Sequence, residues 1–145
     1  RNARIEDVAG ILKLLSPLEE KGVLVRRSRE LLETEIAQFS VVELDGTIIG
    51  CAALYGYAKE GVAELACVAV HPDYRTAGRG DLLLQHMEQR AGAAGLKRVF
   101  VLTTQTAHWF RERGFLPATI DSLPVARRKL YNYQRNSKVF IKTLI

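Results

Sequence analysis

The residues most able to do chemistry lie in a short glycine-bearing segment, Arg75-Thr76-Ala77-Gly78-Arg79-Gly80. It follows the apolar run Val62–Val70 and precedes a segment with helical periodicity. Glycine lets the backbone approach a ligand closely, and the first N–H groups of a helix have no partner within it. Such a turn can therefore hold a diphosphate with backbone groups, although glycine before a helix is also a common turn device.

A second candidate is Glu64, the only acidic residue in the apolar run Val62–Val70. Burial disfavours the charged form of a carboxylate, so a carboxylate on a buried strand suits the role of a proton acceptor. Because side chains alternate along a strand, residue 64 can equally face solvent. The sequence favours the functional interpretation and leaves the other open.

The composition is that of one folded domain, with 145 residues, 48% hydrophobic and 26% charged. Cys51 and Cys67 lack the further ligands of a zinc site, so they are predicted to be reduced core residues. No apolar run is long enough for a membrane span and no signal peptide is evident, so a cytoplasmic protein without membrane contact is predicted. The chain begins at Arg1 and not at methionine, which suggests a piece of a longer polypeptide.

The charge distribution indicates an anionic ligand. The formal net charge is +5, and no acidic residue follows Asp121, while six basic residues do. Nucleic acid is not the predicted partner, because no aromatic and basic recognition motif stands beside these residues.

Hydrophobic periodicity predicts an α/β (α+β) chain in the order helix, helix, three strands, helix, strand, helix and a closing strand. The hairpin signal Asp45-Gly46 joins the first two strands. The first predicted helix covers 5–15 and is ended by Pro17. The second follows the N-cap candidate Ser28 and has the apolar stripe Leu32, Ile36 and Phe39. The other two cover 78–94, capped by Gly95, and 107–113, closed by Gly114. The predicted strands cover 41–44, 47–55, 62–70, 98–103 and 139–141, and the basic segment 124–137 is predicted to be partly helical.

Arg75, Gly78 and Gly80 match the signature of the GCN5-related N-acetyltransferase superfamily: Arg or Gln, two residues, Gly, one residue, then Gly or Ala. The chain resembles this superfamily over essentially its whole length, because the order of elements also agrees. The resemblance implies the acyl-CoA N-acyltransferase fold, a mixed and mostly antiparallel central sheet with helices on both faces. It also implies acetyl-CoA as cosubstrate and no metal.

The same resemblance implies how acetyl-CoA is held. Strands 62–70 and 98–103 are expected to splay apart around the pantetheine arm. The backbone of Cys67, Val68 and Val70 is expected to bond the pantetheine and the acetyl carbonyl. The pyrophosphate is expected on the amides of Arg75, Thr76, Ala77, Gly78, Arg79 and Gly80.

Longer stretches are similar to the acetyltransferase domain of bacterial N-acetylglutamate synthase, namely 24–29, 64–75, 102–104, 108–110 and 131–138. This similarity implies acetyl transfer to the α-amino group of L-glutamate, the first step of arginine biosynthesis. It also implies that residues 1–145 form a single N-acetyltransferase domain that, in a longer protein, follows an arginine-binding domain resembling amino-acid kinases.

The similarity further assigns roles to residues. Arg26, Arg135 and Ser137 would grip the substrate carboxylates, with Arg27 a less certain neighbour; arginine suits this role because its rigid fork matches a carboxylate. Glu64 and the hydroxyl of Thr103 would hold a water that relays the amine proton. The departing thiolate could take a proton from Tyr131, Tyr133 or His108, and the choice stays open.

Two other functions compete with this prediction. One is an acetyltransferase for another amine, such as a protein N-terminus, a lysine or a small molecule, which would share the glycine segment without needing carboxylate grips. The other is a coenzyme A binding module without catalysis, which would not need Glu64. The sequence is also compatible with a homo-oligomer.

Overall fold

The computed structural model describes residues 1–103, 106–128 and 137–144. In these ranges the helices are α1 Val8–Glu20, α2 Arg29–Glu35, α3 Arg79–Ala93, α4 Ala107–Arg111 and α5 Val125–Arg128. The strands are β1 Phe39–Leu44, β2 Thr47–Tyr57, β3 Val62–Val70, β4 Arg98–Thr103, β5 Leu116–Ala118 and β6 Lys138–Thr143. They form one sheet in the order β1-β2-β3-β4-β6-β5, in which β3 and β4 are parallel and the other neighbours antiparallel.

Helices cover both faces of this sheet, as predicted. Along β2, Ala52 and Leu54 pack in a cluster with residues of α3, which we call the α3-side cluster. The alternate residues Cys51 and Ala53 pack in a second cluster with residues of α1, the α1-side cluster. Strand periodicity thus sends successive side chains of β2 into two separate cores. Within the described ranges no helix is long and apolar enough to cross a membrane.

The hairpin of β1 and β2 follows from its turn residues. Asp45 and Gly46 have φ values of 50° and 81°, the positive angles that a two-residue type I′ turn needs at both central positions. The flanking residues Leu44 and Thr47 are directly paired. The predicted hairpin is confirmed.

Two local predictions about the first helices were wrong. α1 does not end before Pro17 but continues to Glu20. A proline within a helix forfeits the bond of its missing N–H, but Pro17 lies on the exposed side while Val8 and Ile11 are fully buried on the other. Packing of the apolar face therefore outweighs the lost bond.

Phe39 is not on the stripe of α2 but opens β1, where it is fully buried. Ser28 does cap α2, because its hydroxyl accepts a hydrogen bond from the Leu31 amide at 3.1 Å. α2 then ends at Glu35, and a 3-10 turn at Ile36–Gln38 redirects the chain into the sheet.

β5 was not predicted. It is only three residues long and contains Pro117, which removes a donor from the ladder. As the last strand of the sheet, paired only with β6 among the described strands, it tolerates the missing N–H.

Candidate active site

The central feature of the site is a split between β3 and β4. Among the described residues these strands pair only at Val62/Arg98, Ala63/Val99 and Glu64/Phe100. Beyond Phe100, β4 continues its ladder with β6 alone. The two strands therefore diverge after Glu64, and one edge of residues 65–70 is left open, as the resemblance implied.

A β-bulge in β3 lies beside this split. Cys51 pairs with Ala69 and Ala53 with Ala66, so Cys67 and Val68 together stand opposite the single residue Ala52. Cys67 has a φ of 56°, the left-handed conformation that costs a non-glycine residue about 1–2 kcal/mol. A bulge withdraws backbone groups from the ladder and re-aims the chain, and it commonly occurs at functional sites.

The bulge also reverses which face of the sheet each side chain meets. Ala63 and Leu65 pack in the α3-side cluster, whereas Cys67 and Ala69 pack in the α1-side cluster. Regular alternation would have kept all four on one face. Burial raises the pKa of the Cys67 thiol to about 12, so this thiol is protonated at neutral pH and is not a nucleophile.

The first cleft at this split, which we call the glycine-turn cleft, is lined by Val68, Ala69 and Val70 of β3, by Gly78 and Gly80 at the start of α3, and by Trp109 and Phe110 of α4. Its volume is about 560 Å³. Three cations, Lys21, Arg75 and Arg113, also line it. It joins the open edge of a strand to the N-terminal end of a helix, where N–H groups lack intrahelical partners.

The two glycines of the motif serve different purposes. A 3-10 helix over Pro72–Ala77 leads to Gly78, which has a φ of 70° and is the N-cap of α3. Gly80 is needed for close packing, because a Cβ there would lie 3.1 Å from the Cζ2 atom of Trp109. Arg75, the first residue of the motif, donates from Nε to the carbonyl of Val70 at 3.1 Å and so ties the turn to the end of β3.

Replacing Gly78 with alanine is expected to lower the free energy of unfolding by about 1–2 kcal/mol, because its left-handed φ is unfavourable for any residue with a Cβ. The space around Gly78 is open, so no steric clash contributes. Urea unfolding measures the change. The matched control is Gly92→Ala within α3, also in open space, which should instead stabilise by about 0.5–1 kcal/mol. Equal effects at the two positions would contradict this explanation.

The second cleft, which we call the Glu64 cleft, has a volume of about 510 Å³ and is lined by Glu64, Ala66 and Cys67 of β3. Glu64 is 8% exposed, which excludes the solvent-facing alternative. Its carboxylate is paired with Arg127 of α5, whose Nε donates to Oε1 at 2.7 Å and whose Nη2 lies 3.4 Å from Oε2. Arg127 was not among the residues predicted from the sequence, because no local pattern connects it to Glu64.

The Glu64 cleft contains Arg27 and not Arg26. Arg27 is half-buried and lines the cleft, whereas Arg26 is exposed and does not. The backbone N–H of Arg27 donates to Oε2 of Glu19 at 2.9 Å, which fixes the chain at this point. The placement of Arg26 therefore does not support the role that the resemblance gave it, and its neighbour takes the position facing the cleft.

Of the remaining predicted acceptor residues, Ser137 is buried and lines the Glu64 cleft. Arg135, Tyr131 and Tyr133 lie outside the described residues. His108, the other predicted proton donor, is exposed, pairs with Glu112 at 2.8 Å and lines neither cleft.

Thr103 is buried at the end of β4 and is not among the described residues that line the Glu64 cleft. Its hydroxyl lies 2.7 Å from that of Thr106 and accepts from the Thr106 amide at 3.0 Å. Alternation along β4 places Thr103 on the face of Val99 and Val101, while Leu102 lines the Glu64 cleft. The predicted holding of a water by Glu64 and Thr103 stays a prediction.

The linings of the two clefts adjoin along β3. Along β3, residues 64–67 line the Glu64 cleft and residues 68–70 line the glycine-turn cleft, so the boundary falls at the bulge. The segment between α1 and α2 also contributes to both, with Lys21 and Val23 on one side and Leu24 and Arg27 on the other. Two substrates, one in each cleft, would meet beside Cys67 and Val68.

Comparisons with known proteins agree with this architecture. The model of the Acetyltransferase (GNAT) family matches residues 8–115. Amino-acid acetyltransferases from Pseudomonas fluorescens strain Pf0-1 and from Azotobacter vinelandii are each 66% identical over 144 residues, covering 99% of this chain and 33% of each relative. The chain thus spans about a third of the length of these relatives.

Among solved structures, this chain is similar to N-acetylglutamate synthase from Neisseria gonorrhoeae complexed with coenzyme A and N-acetyl-glutamate. The TM-score is 0.96 and the sequence identity is 44%, and the match covers 100% of this chain and 34% of that one. Tetrahymena GCN5 matches with a TM-score of 0.75 at 14% identity over 100% of this chain and 91% of that one, which shows a shared fold only. Because the family model matches residues 8–115, a range that contains β3, β4 and the glycine turn, the chain belongs to the acetyltransferase (GNAT) family.

Proposed function

We propose that this domain transfers the acetyl group of acetyl-CoA to the α-amino group of L-glutamate. The observation that carries the proposal is the meeting of two clefts at the bulge of β3, one with the features of an anion cradle and one with an arginine and a buried carboxylate. The similarity to amino-acid acetyltransferases and to N-acetylglutamate synthase supports this choice of substrates.

Acetyl-CoA suits the chemistry of the glycine-turn cleft. The amides from Arg75 to Gly80, at the start of α3, would hold the pyrophosphate, with Lys21 adding positive charge. The open edge of β3 at Cys67, Val68 and Val70 would bond the amides of the pantetheine arm as a neighbouring strand would. That edge leads to the bulge, where the acetyl group would lie beside the second cleft.

Glutamate suits the Glu64 cleft. Arg27 would grip one carboxylate through charged hydrogen bonds, and the buried hydroxyl of Ser137 would add a further contact. Arg135 stays in the proposal as a second grip on the strength of the resemblance alone. Arg26 is not included in the proposed site, because its side chain is exposed and the adjacent Arg27 lines the cleft.

Glu64 would act as the general base. The amine of glutamate is protonated at neutral pH and must lose a proton before it attacks the thioester carbonyl. Glu64 would take that proton through a water, and on the resemblance the Thr103 hydroxyl would help to hold that water. Backbone N–H groups at the bulge would stabilise the negative charge that develops on the acetyl oxygen. The amine would then keep the acetyl group and the thiolate would depart, with no covalent bond to the protein.

We further propose that residues 1–145 form the acetyltransferase domain of a longer protein with an amino-acid-kinase-like domain before it. The lengths of the relatives, of which this chain spans 33%, support this. We also propose that the reaction serves arginine biosynthesis and that the protein is located in the cytoplasm. The proposal does not specify an oligomeric state.

Release of coenzyme A in the presence of different amines tests the proposal. We expect kcat/KM for glutamate to exceed that for glutamine by about 100-fold, because glutamine leaves a site for a carboxylate unsatisfied. Lysine and N-terminal peptides should show no acceptor-dependent release. Turnover of lysine or peptides without turnover of glutamate would assign the domain to another amine. Binding of acetyl-CoA without turnover of any amine would make it a binding module.

A further inference from the structure

The ion pair of Glu64 and Arg127 calls for an explanation beyond stability. The relative exposure of the two side chains is 11% for Glu64 and 20% for Arg127. Removing two charges from water costs about as much as their attraction returns, and apolar replacements of such pairs are often neutral or stabilising. A pair of this kind is therefore a poor device for holding α5 on the sheet.

The geometry of the pair distinguishes the two carboxylate oxygens. Oε1 accepts from Nε at 2.7 Å, a short charge-assisted bond, whereas Oε2 lies 3.4 Å from Nη2. One oxygen is firmly held and the other is loosely contacted. A fork of donors acting in this way fixes the plane of the carboxylate and leaves Oε2 as the better proton acceptor.

The other titratable groups around Glu64 do not offer it an equivalent partner. Those that line the cleft with it are Arg27, Glu35, Tyr55, Tyr57 and Cys67. Burial raises the pKa of both tyrosines and of Cys67, which keeps them neutral. Glu35 accepts from the Tyr55 hydroxyl at 2.8 Å. Among the described residues that line the cleft, Arg27 and Arg127 are thus the cations, and Arg127 is the one bonded to Glu64.

We propose that Arg127 is a positioning residue of the reaction: it holds the carboxylate of Glu64 at the split between β3 and β4, with Oε2 turned to accept the proton of the substrate amine. This inference rests on the proposed function. Arg127 touches neither substrate in this scheme and acts only through Glu64. The side chain lines the cleft from α5.

A double-mutant cycle with glutamate and acetyl-CoA tests the inference. Arg127→Met is expected to lower kcat by about 10- to 100-fold, with a smaller effect on the KM for glutamate. Arg127→Lys should recover part of kcat. In a Glu64→Gln background, Arg127→Met should change kcat by less than about 3-fold, since residues that act as a unit are non-additive.

The matched control is Arg128→Met, which removes the same charge from an exposed neighbour and should leave kcat and the pH profile unchanged. Circular dichroism and thermal unfolding verify that each variant is folded. If Arg127→Met does not fold, the same measurements are made on Arg127→Lys. An unchanged kcat in Arg127→Met, or an effect of Arg127 that is fully retained in the Glu64→Gln background, would overturn the inference. A wild-type domain that does not acetylate glutamate would instead overturn the proposed function.

Discussion

Replacing Glu64 with glutamine is expected to lower kcat for glutamate acetylation by about 100- to 1,000-fold, the usual contribution of a general base. Glutamine has nearly the same shape and its amide oxygen can still accept from Arg127, so the fold and the cleft should persist. The KM for acetyl-CoA should stay within about 2-fold, because that substrate lies on the other side of the bulge. Steady-state kinetics at saturating glutamate would measure the effect between pH 6 and 9. This pH range is set roughly by the titration of the substrate amine.

Glu88→Gln is the matched control for that variant. Glu88 is also paired with a cation, Lys142, at 2.9 Å, but it lies on α3 and lines neither cleft. Its replacement should leave kcat unchanged. If Glu64→Gln kept both the rate and the pH profile of the wild type, Glu64 would not be the base.

Replacing Arg27 with methionine is expected to raise the KM for glutamate by about 10- to 100-fold, because a charged hydrogen bond to a carboxylate contributes about 1.5–3 kcal/mol. Methionine keeps the length of the side chain and removes the fork of donors. The KM for acetyl-CoA should change little. Initial rates over a range of glutamate concentrations, at saturating acetyl-CoA, separate the two constants.

Arg26→Met is the control, since Arg26 is the adjacent arginine with an exposed side chain. It should change the KM for glutamate by less than about 2-fold. A larger effect at Arg26 than at Arg27 would support the role originally implied by the resemblance and would show that the segment rearranges when substrate binds.

Features that depend on neighbouring residues were correctly predicted from the sequence. The turn at Asp45-Gly46, the cap at Ser28 and the glycine turn after β3 each depend on a few consecutive residues. Predictions failed where packing outweighed a local preference. Pro17 stays in a helix because the opposite face is buried, and Phe39 leaves the helical stripe because the sheet buries it completely.

The sequence alone determined the order of the elements apart from β5, the glycine turn that suits a diphosphate and the family resemblance. Only the tertiary structure decided that Arg27 and not Arg26 lines the Glu64 cleft, and that Arg127 reaches Glu64 across 63 residues of chain. The physical reason is that a shift of one residue along a strand or a loop reverses the direction of a side chain. At Cys67 a bulge makes such a shift, and the contacts that surround it come from segments far apart in the chain.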